Sequence, residues 1–369
     1  MAYGQVSADV ISTSVANSSL GAGNATLMKN KIINGQMVID QRNAGASITV
    51  SVDNQYDVDR FSGNKGGSIN NYTLQQSTTA PVGFVNSMIA TMGTGVTVGA
   101  TDYAFICQRI EGYNIADLGW GTADAKATTL SFWVRSSVTG TFGVSFRNNA
   151  ANATYCATYT ITSANTFEYK TVSIPAITSG TWTTNNTTGV MVAWDLGVGS
   201  TFSGTAGQLN TGANYFGVTG TTKLAATTGA TFYITGVQLE VGSSATGYEY
   251  RQYGQELQLC QRYCYQVSYN ATGGTTLLGA GVNNGTTDAR CYMNFPVTMR
   301  ASPTVTASSG SNYYAQDHSG FIYFNSIASA YAGPNSTLMY GTTTGGVAGY
   351  GIMIYLAAAG AYVNASAEL

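Results

Sequence analysis

Two pairs of carboxylates have the spacing that glycoside cleavage would need. Asp57 and Asp59 point to one face if their stretch is a strand, and Glu111 and Asp117 fall within one loop region. Such cleavage requires two carboxyl groups about 5–10 Å apart across a cleft. Asp pairs are also the ordinary furniture of turns, and the chain has no repeat of the parallel β-helix kind expected in depolymerising spikes. A nucleophilic triad would have one base, because His318 is the single histidine; it sits in Gln316-Asp317-His318-Ser319-Gly320, a turn-like string. Arg109 and Glu111 flank Ile110 and read as a structural pair on one strand face. No residue is therefore expected to be catalytic, and the chain is not expected to be an enzyme.

Metal chemistry fares no better. Cys260 and Cys264 are four apart, but the other cysteines, Cys107, Cys156 and Cys291, are scattered, and a zinc site built on the pair would need histidine partners. Five small thiols buried in a reducing compartment are the expectation, with no metal and no cofactor.

Aromatic residues are the better candidates for binding. Sugar rings stack on Tyr and Trp faces while Asn and Asp bond the hydroxyls. Tyr313, Tyr314, Tyr323, Tyr331 and Tyr340 lie among Asn312, Asn325 and Asn335, and Trp120 and Trp182 stand in turn-like contexts. These seven are the candidate ligand-binding residues.

The elements that would carry them are strands. Charged residues make up 9% of the chain, against about 25% in ordinary soluble domains. Glycine is abundant at 45 residues, and 25 tyrosines join a Thr- and Val-rich background that favours strands and tight turns. The net charge of −2 with 44% hydrophobic residues excludes disorder driven by charge. The absence of Lys/Arg runs argues against nucleic acid as a partner. The most apolar stretch, 349–363, is too short for a membrane span of about 20 residues, and Met1-Ala2-Tyr3-Gly4-Gln5 does not open a signal peptide.

Alternation fixes the faces. Leu130, Phe132 and Val134 alternate with Ser131, Trp133 and Arg135; Phe142, Val144 and Phe146 alternate with Gly143, Ser145 and Arg147; Val190, Val192, Trp194 and Leu196 share a face. Phe232 and Ile234 have one parity and Val237, Leu239 and Val241 the other, which predicts a β-bulge at Thr235 and Gly236. Leu257, Cys260 and Cys264 form a short helical stripe within 255–265. After His318 the only charged residue is Glu368. That stretch suits either a subunit interface or a neutral sugar-binding surface, and the depletion of charge in obligate interfaces favours the first.

Several strings resemble a family of marine phage tail-fibre-like virion proteins: Asn30-Lys31-Ile32-Ile33-Asn34-Gly35, Asp40-Gln41-Arg42, Tyr56-Asp57-Val58-Asp59-Arg60-Phe61, Gln108-Arg109-Ile110-Glu111-Gly112 and Asp117-Leu118-Gly119-Trp120-Gly121-Thr122. So do Leu130-Ser131-Phe132-Trp133-Val134-Arg135-Ser136-Ser137, the stretch 232–242, Glu249-Tyr250-Arg251, Leu259-Cys260-Gln261-Arg262-Tyr263 and the stretch 295–303. The long domain is similar to carbohydrate-binding-module jelly rolls, which often hold a structural calcium through an acidic residue in the closing strand. Thr235 stands at that place here, and Glu240 alone is not a site.

The expected organisation is an N-terminal docking arm (1–29), a carbohydrate-binding-module-like jelly-roll β-sandwich (30–251), a short helical linker (252–265) and a smaller C-terminal β-sandwich tip (266–369), all-β apart from one short helix. The resemblance implies a structural protein on the virion surface, a tail fibre or tail spike, made in the host cytoplasm. It would dock through its arm to a tail adaptor, tail tube or capsid protein, pack as a homotrimer and bind a host surface glycan multivalently. The alternatives are a capsid decoration or head-fibre protein and, further off, a polysaccharide depolymerase.

Overall fold

The period-two pattern builds the first half of the fold. In a computed structural model that describes residues 28–270, 272, 274–310 and 312–369, the strand Thr128–Ser136 buries Leu130, Phe132 and Val134 completely and leaves Trp133 and Arg135 half-buried on the other side. It lies in a six-stranded antiparallel sheet with the order Ile48–Val50, Tyr72–Ser77, Ser87–Thr91, Thr231–Val241, Thr128–Ser136, Glu168–Ile174. A seven-stranded antiparallel sheet faces it, with the order Gln208–Thr211, Ala153–Ile161, Gly140–Asn148, Thr188–Val198, Tyr103–Glu111, Phe61–Gly66, Gln55–Tyr56. Aromatic rings cross the gap: Phe132 meets Tyr159 edge-on at 5.0 Å and Trp194 at 5.9 Å, and Phe142 meets Phe232 at 6.2 Å. Each such ring removes a large apolar area from water and adds its edge-to-face geometry. This is a jelly-roll β-sandwich, as expected.

The bulge is where the alternation puts it. The pairing of Thr231–Val241 with Thr128–Ser136 shifts between Thr235 and Gln238, and Gly236 has φ +61°. The extra residue returns Val237 and Leu239 to the core face, where both are fully buried. The segment after Lys29 runs beside this half of the strand, with Lys31 N donating to Leu239 O at 2.8 Å and Val237 N to Gly35 O at 3.0 Å. Residues 1–27 of the expected docking arm lie outside the described residues.

The chain divides into two compact units, and the division does not follow the sequence in one step. Among the described residues, the first comprises 28–38, Ser47–Tyr56 and Phe61–Arg251; the second comprises Ile39–Ala46, Asp57–Arg60 and the described part of 252–369. Two short segments from within the long domain thus belong to the C-terminal unit. Gln41 donates its side-chain amide to Cys264 O at 2.7 Å, Gln266 donates to Arg42 O at 3.2 Å, and Asp59 N donates to Ile39 O at 3.0 Å.

The second unit is a smaller sandwich. A three-stranded sheet (Cys264–Ser268, Tyr362–Ser366, Thr304–Ala307) packs on a seven-stranded one with the order Gly320–Phe324, Tyr313–Asp317, Gly351–Leu356, Thr276–Gly285, Asp288–Asn294, Ser336–Thr342, Ile327–Ala330. Its core holds Ile352, Ile354 and Leu356 from one side and Val363 and Ala365 from the other. The helix runs from Tyr253 to Gln261 and buries Cys260 and Glu256; Cys264, expected on the helical stripe, opens the next strand instead. All five cysteines are free and buried, as expected.

Candidate functional site

The bulge that restores the core register also builds a cleft on the outer face of the six-stranded sheet. A Cβ at Gly236 would stand 2.7 Å from Phe84 Cζ and 3.0 Å from Trp133 Cδ1, so only glycine lets these two rings close over the turn. Phe84 stacks on Tyr250 at 5.7 Å and meets Tyr248 edge-on at 5.2 Å, while Trp133 lies against Tyr169 at 5.4 Å. The five rings line a cleft of about 430 Å³. Tyr250 is 57% and Tyr169 44% exposed, so ring faces are open to solvent.

Polar residues pin the loop that carries Tyr248 and Tyr250. Glu240 is fully buried and accepts from Thr246 N at 2.8 Å and from Thr246 Oγ1 at 2.6 Å. Gln238 accepts from Glu249 N at 2.8 Å. Lys29 Nζ donates to Thr246 Oγ1 at 2.5 Å and to Gly247 O at 2.7 Å. These bonds hold the rings in place before any ligand arrives, which lowers the entropy cost of binding.

The candidate tyrosines divide by strand parity. Tyr313 is in the core of the second unit, stacked on Phe324 at 5.7 Å with its hydroxyl donating to Ser308 O at 2.8 Å. Tyr314 points to the opposite face, within a cross-strand row of Tyr323, Tyr314, Tyr355 and Leu277. It stacks on Tyr355 at 4.9 Å and is itself nearly covered, while Tyr323 is 63% exposed. Tyr340 lies farther along the same outer face, cross-strand from Arg290. Tyr331 is 89% exposed in the turn after Ile327–Ala330, with φ +54°. Gln316, Asp317, His318, Met353 and Tyr355 help line a cleft of about 620 Å³ on this unit. His318 is exposed in its turn, as expected, with its ring against Tyr350 at 4.6 Å. Asp317 accepts two bonds from Ser319, which hold its carboxyl below the usual range.

Trp120 and Trp182 lie elsewhere. They pack edge-to-face on each other at 4.9 Å and are 5% and 7% exposed. Each indole N–H donates to a nearby carbonyl, Lys126 O and Ser179 O, both at 3.1 Å. The rings cover each other and present no free face for stacking.

Among the described residues, the carboxylates of the sequence reading line neither of these two clefts. Asp57 and Asp59 sit in a turn rather than a strand and are fully buried in the second unit. Asp59 accepts from Gln41 N at 3.1 Å, and burial nevertheless raises its pKa. Burial, with the Asp40 charge nearby, pushes Asp57 up to about 8, outweighing a backbone hydrogen bond from Val58. In the first unit, Glu111 is buried while Asp117 is at the surface, paired with Lys31 at 2.7 Å. Among the described residues no group of three or more His, Cys, Asp or Glu is placed to hold a metal ion. No helix of these residues is long and apolar enough to cross a membrane.

No protein-family model matches the chain, and no curated protein matches it. Among solved structures it is similar to the enzymatically active domain of bacteriophage CBA120 tailspike protein 4, at 13% identity over 58% of this chain, with a TM-score of 0.27. The chain spans 22% of that protein's length. It is also similar to a CBM4 structure (14% identity, 57% of this chain, 98% of that one, TM-score 0.29). A third is the family 11 carbohydrate-binding module of the cellulosomal cellulase Lic26A-Cel5E of Clostridium thermocellum (10% identity, 56% of this chain, all of that one, TM-score 0.27).

The Trp133 cleft was not among the sequence candidates. One signal for it was present: Trp133 alternates against Leu130, Phe132 and Val134 and so had to face outward. Its partner rings come from three distant parts of the chain, and nothing in the sequence joins them.

Proposed function

We propose that this chain is a non-catalytic structural protein of a phage particle that binds glycan on the host surface, in the manner of a tail fibre or tail spike. The observation that carries the glycan reading is the cleft of Trp133, Tyr169, Phe84, Tyr248 and Tyr250, with its pre-set rings and open faces. Sugars bind by laying apolar C–H faces on such rings, and a surface poor in charge suits neutral hydroxyls. The virion reading rests on the resemblance of residues 30–265 and on a composition suited to fixed assembly rather than free dispersal.

Self-association is part of the proposal. The outer face of the second unit's seven-stranded sheet exposes Leu277, Tyr292, Phe321, Tyr323 and Met353, a larger apolar surface than single scattered residues make. Packing of copies, three by expectation, would cover it and bring several clefts to one cell surface. Many weak contacts then act as one firm one. Docking of residues 1–29 to another virion protein completes the reading.

Retention of the purified protein on immobilised host polysaccharide, followed by labelling of the intact particle in the electron microscope, tests the two halves. Binding lost on Trp133→Ala, with label at the tail, is the expected result. Label spread over the capsid would make the chain a decoration protein.

A further inference from the structure

The outer face of the seven-stranded sheet in the first unit carries a second cleft of different chemistry. Arg109 and Arg147 are both cross-strand partners of Met191, one on each side of it, so they share a face about two strand spacings (~10 Å) apart. Both line a cavity of about 210 Å³. Tyr103, Phe105, Phe202 and Phe216 form an aromatic wall, with Phe105 and Phe216 at 4.6 Å and Phe202 stacked on Phe216 at 4.9 Å.

Charge in this cleft is unbalanced. Among the described residues Asp53 is the one carboxylate lining it; it accepts a bond from the Tyr103 hydroxyl at 3.0 Å, and its charge, with the Tyr56 side chain, also acts on Arg109. Arg147 donates one guanidinium nitrogen to Asn214 Oδ1, while its Nε is buried without a hydrogen-bond partner. Burial and the Arg109 charge together push the Arg147 guanidinium down from its ordinary value. A half-buried cation held beside a like charge gains from an anionic oxygen.

We infer that this cleft takes an acidic sugar unit, its ring against the aromatic wall and its anionic oxygens on the Arg109 and Arg147 guanidiniums. The inference rests on the glycan-binding reading for the kind of ligand and adds a charge preference, at a site separate from the Trp133 cleft. A uronate carboxylate and a sulfate ester offer the same anionic oxygens, and two arms of the test separate them.

The test is calorimetry of the intact protein with glucuronate oligosaccharides, sulfated glucose oligosaccharides and neutral glucose oligosaccharides of equal length. At least one acidic series is expected to bind about tenfold or more tightly than the neutral one, the worth of a charged hydrogen bond, and to weaken with salt. The arm that binds names the source. Arg147→Gln is expected to abolish the preference; Arg147→Lys keeps the charge without the fork and restores it only in part. Should Arg147→Gln fail to fold, Asn214→Ala, in an exposed loop, is expected to weaken acidic binding several-fold. Neutral binding without any acidic preference, or a preference indifferent to these variants, overturns the inference and leaves the glycan reading standing. Absence of binding in all three series overturns both.

Discussion

Arg60 and Glu368 stand 308 residues apart in the chain and form a buried ion pair inside the second unit. Glu368 also accepts from Arg42 Nη2 at 2.9 Å, and the Arg60 guanidinium lies 3.6 Å above the Tyr263 ring. Arg60 holds φ +73°, a left-handed backbone that a non-glycine residue keeps only where its surroundings fix it. Removing the carboxylate would take away the anion that Arg42 and Arg60 share, leaving Asp59, 3.8 Å from Arg42, to face the two guanidiniums. Glu368→Ala is expected to destabilise the second unit by about 3–5 kcal/mol, measured by chemical denaturation.

Asp57 makes stability depend on pH in a definite direction. Its folded pKa, about 8, is above the ordinary 3.8, so the folded state binds the proton more tightly than the unfolded one. Its stabilising contribution is complete below about pH 4 and is lost as the pH rises through 8. Asp57→Asn mimics the protonated form. The variant should match the parent near pH 4, gain on it up to pH 8 and hold a constant advantage above, in thermal melts across that range. A gap that does not change with pH would contradict the assignment.

Gly236→Ala is expected to cost about 1–2 kcal/mol for a side chain in the left-handed region. It should also push Phe84 and Trp133 apart. Glycan affinity should therefore fall more than the loss of stability explains, as titration at a temperature where both proteins are folded would show.

The second unit's outer face predicts the behaviour of the assembly. Tyr292→Glu with Tyr323→Glu places charge on two exposed positions and should turn an oligomer into monomers in sedimentation without unfolding them. Wild-type protein that sediments only as monomer would remove the trimer from the account.

Strand faces were legible wherever a local pattern decides them. The parity of Phe132, Phe142 and Trp194 gave the core, and the change of parity around Gly236 gave the bulge. The helix was legible as a stripe but not in its end, because Cys264 keeps the helical spacing while pairing in a strand with Ser366. Tyr313 and Tyr314 show the limit for sites. Adjacent residues in a strand face opposite ways, and which one enters the core depends on where the other sheet packs. Trp120 and Trp182 each looked exposed alone and are hidden because each is the other's cover. Asp57 and Asp59 read as a shared strand face, whereas the chain turns there to send Asp57–Arg60 into the second unit.

The central claim is that the Trp133 cleft binds glycan, and the most direct measurement is the affinity of purified protein for host surface polysaccharide, with and without Trp133→Ala and Tyr250→Ala. Both side chains are partly exposed at the surface, so the double variant should melt close to the parent. The account predicts that its affinity falls at least tenfold, about 1.4 kcal/mol or more. Unchanged affinity in a folded double variant would contradict it.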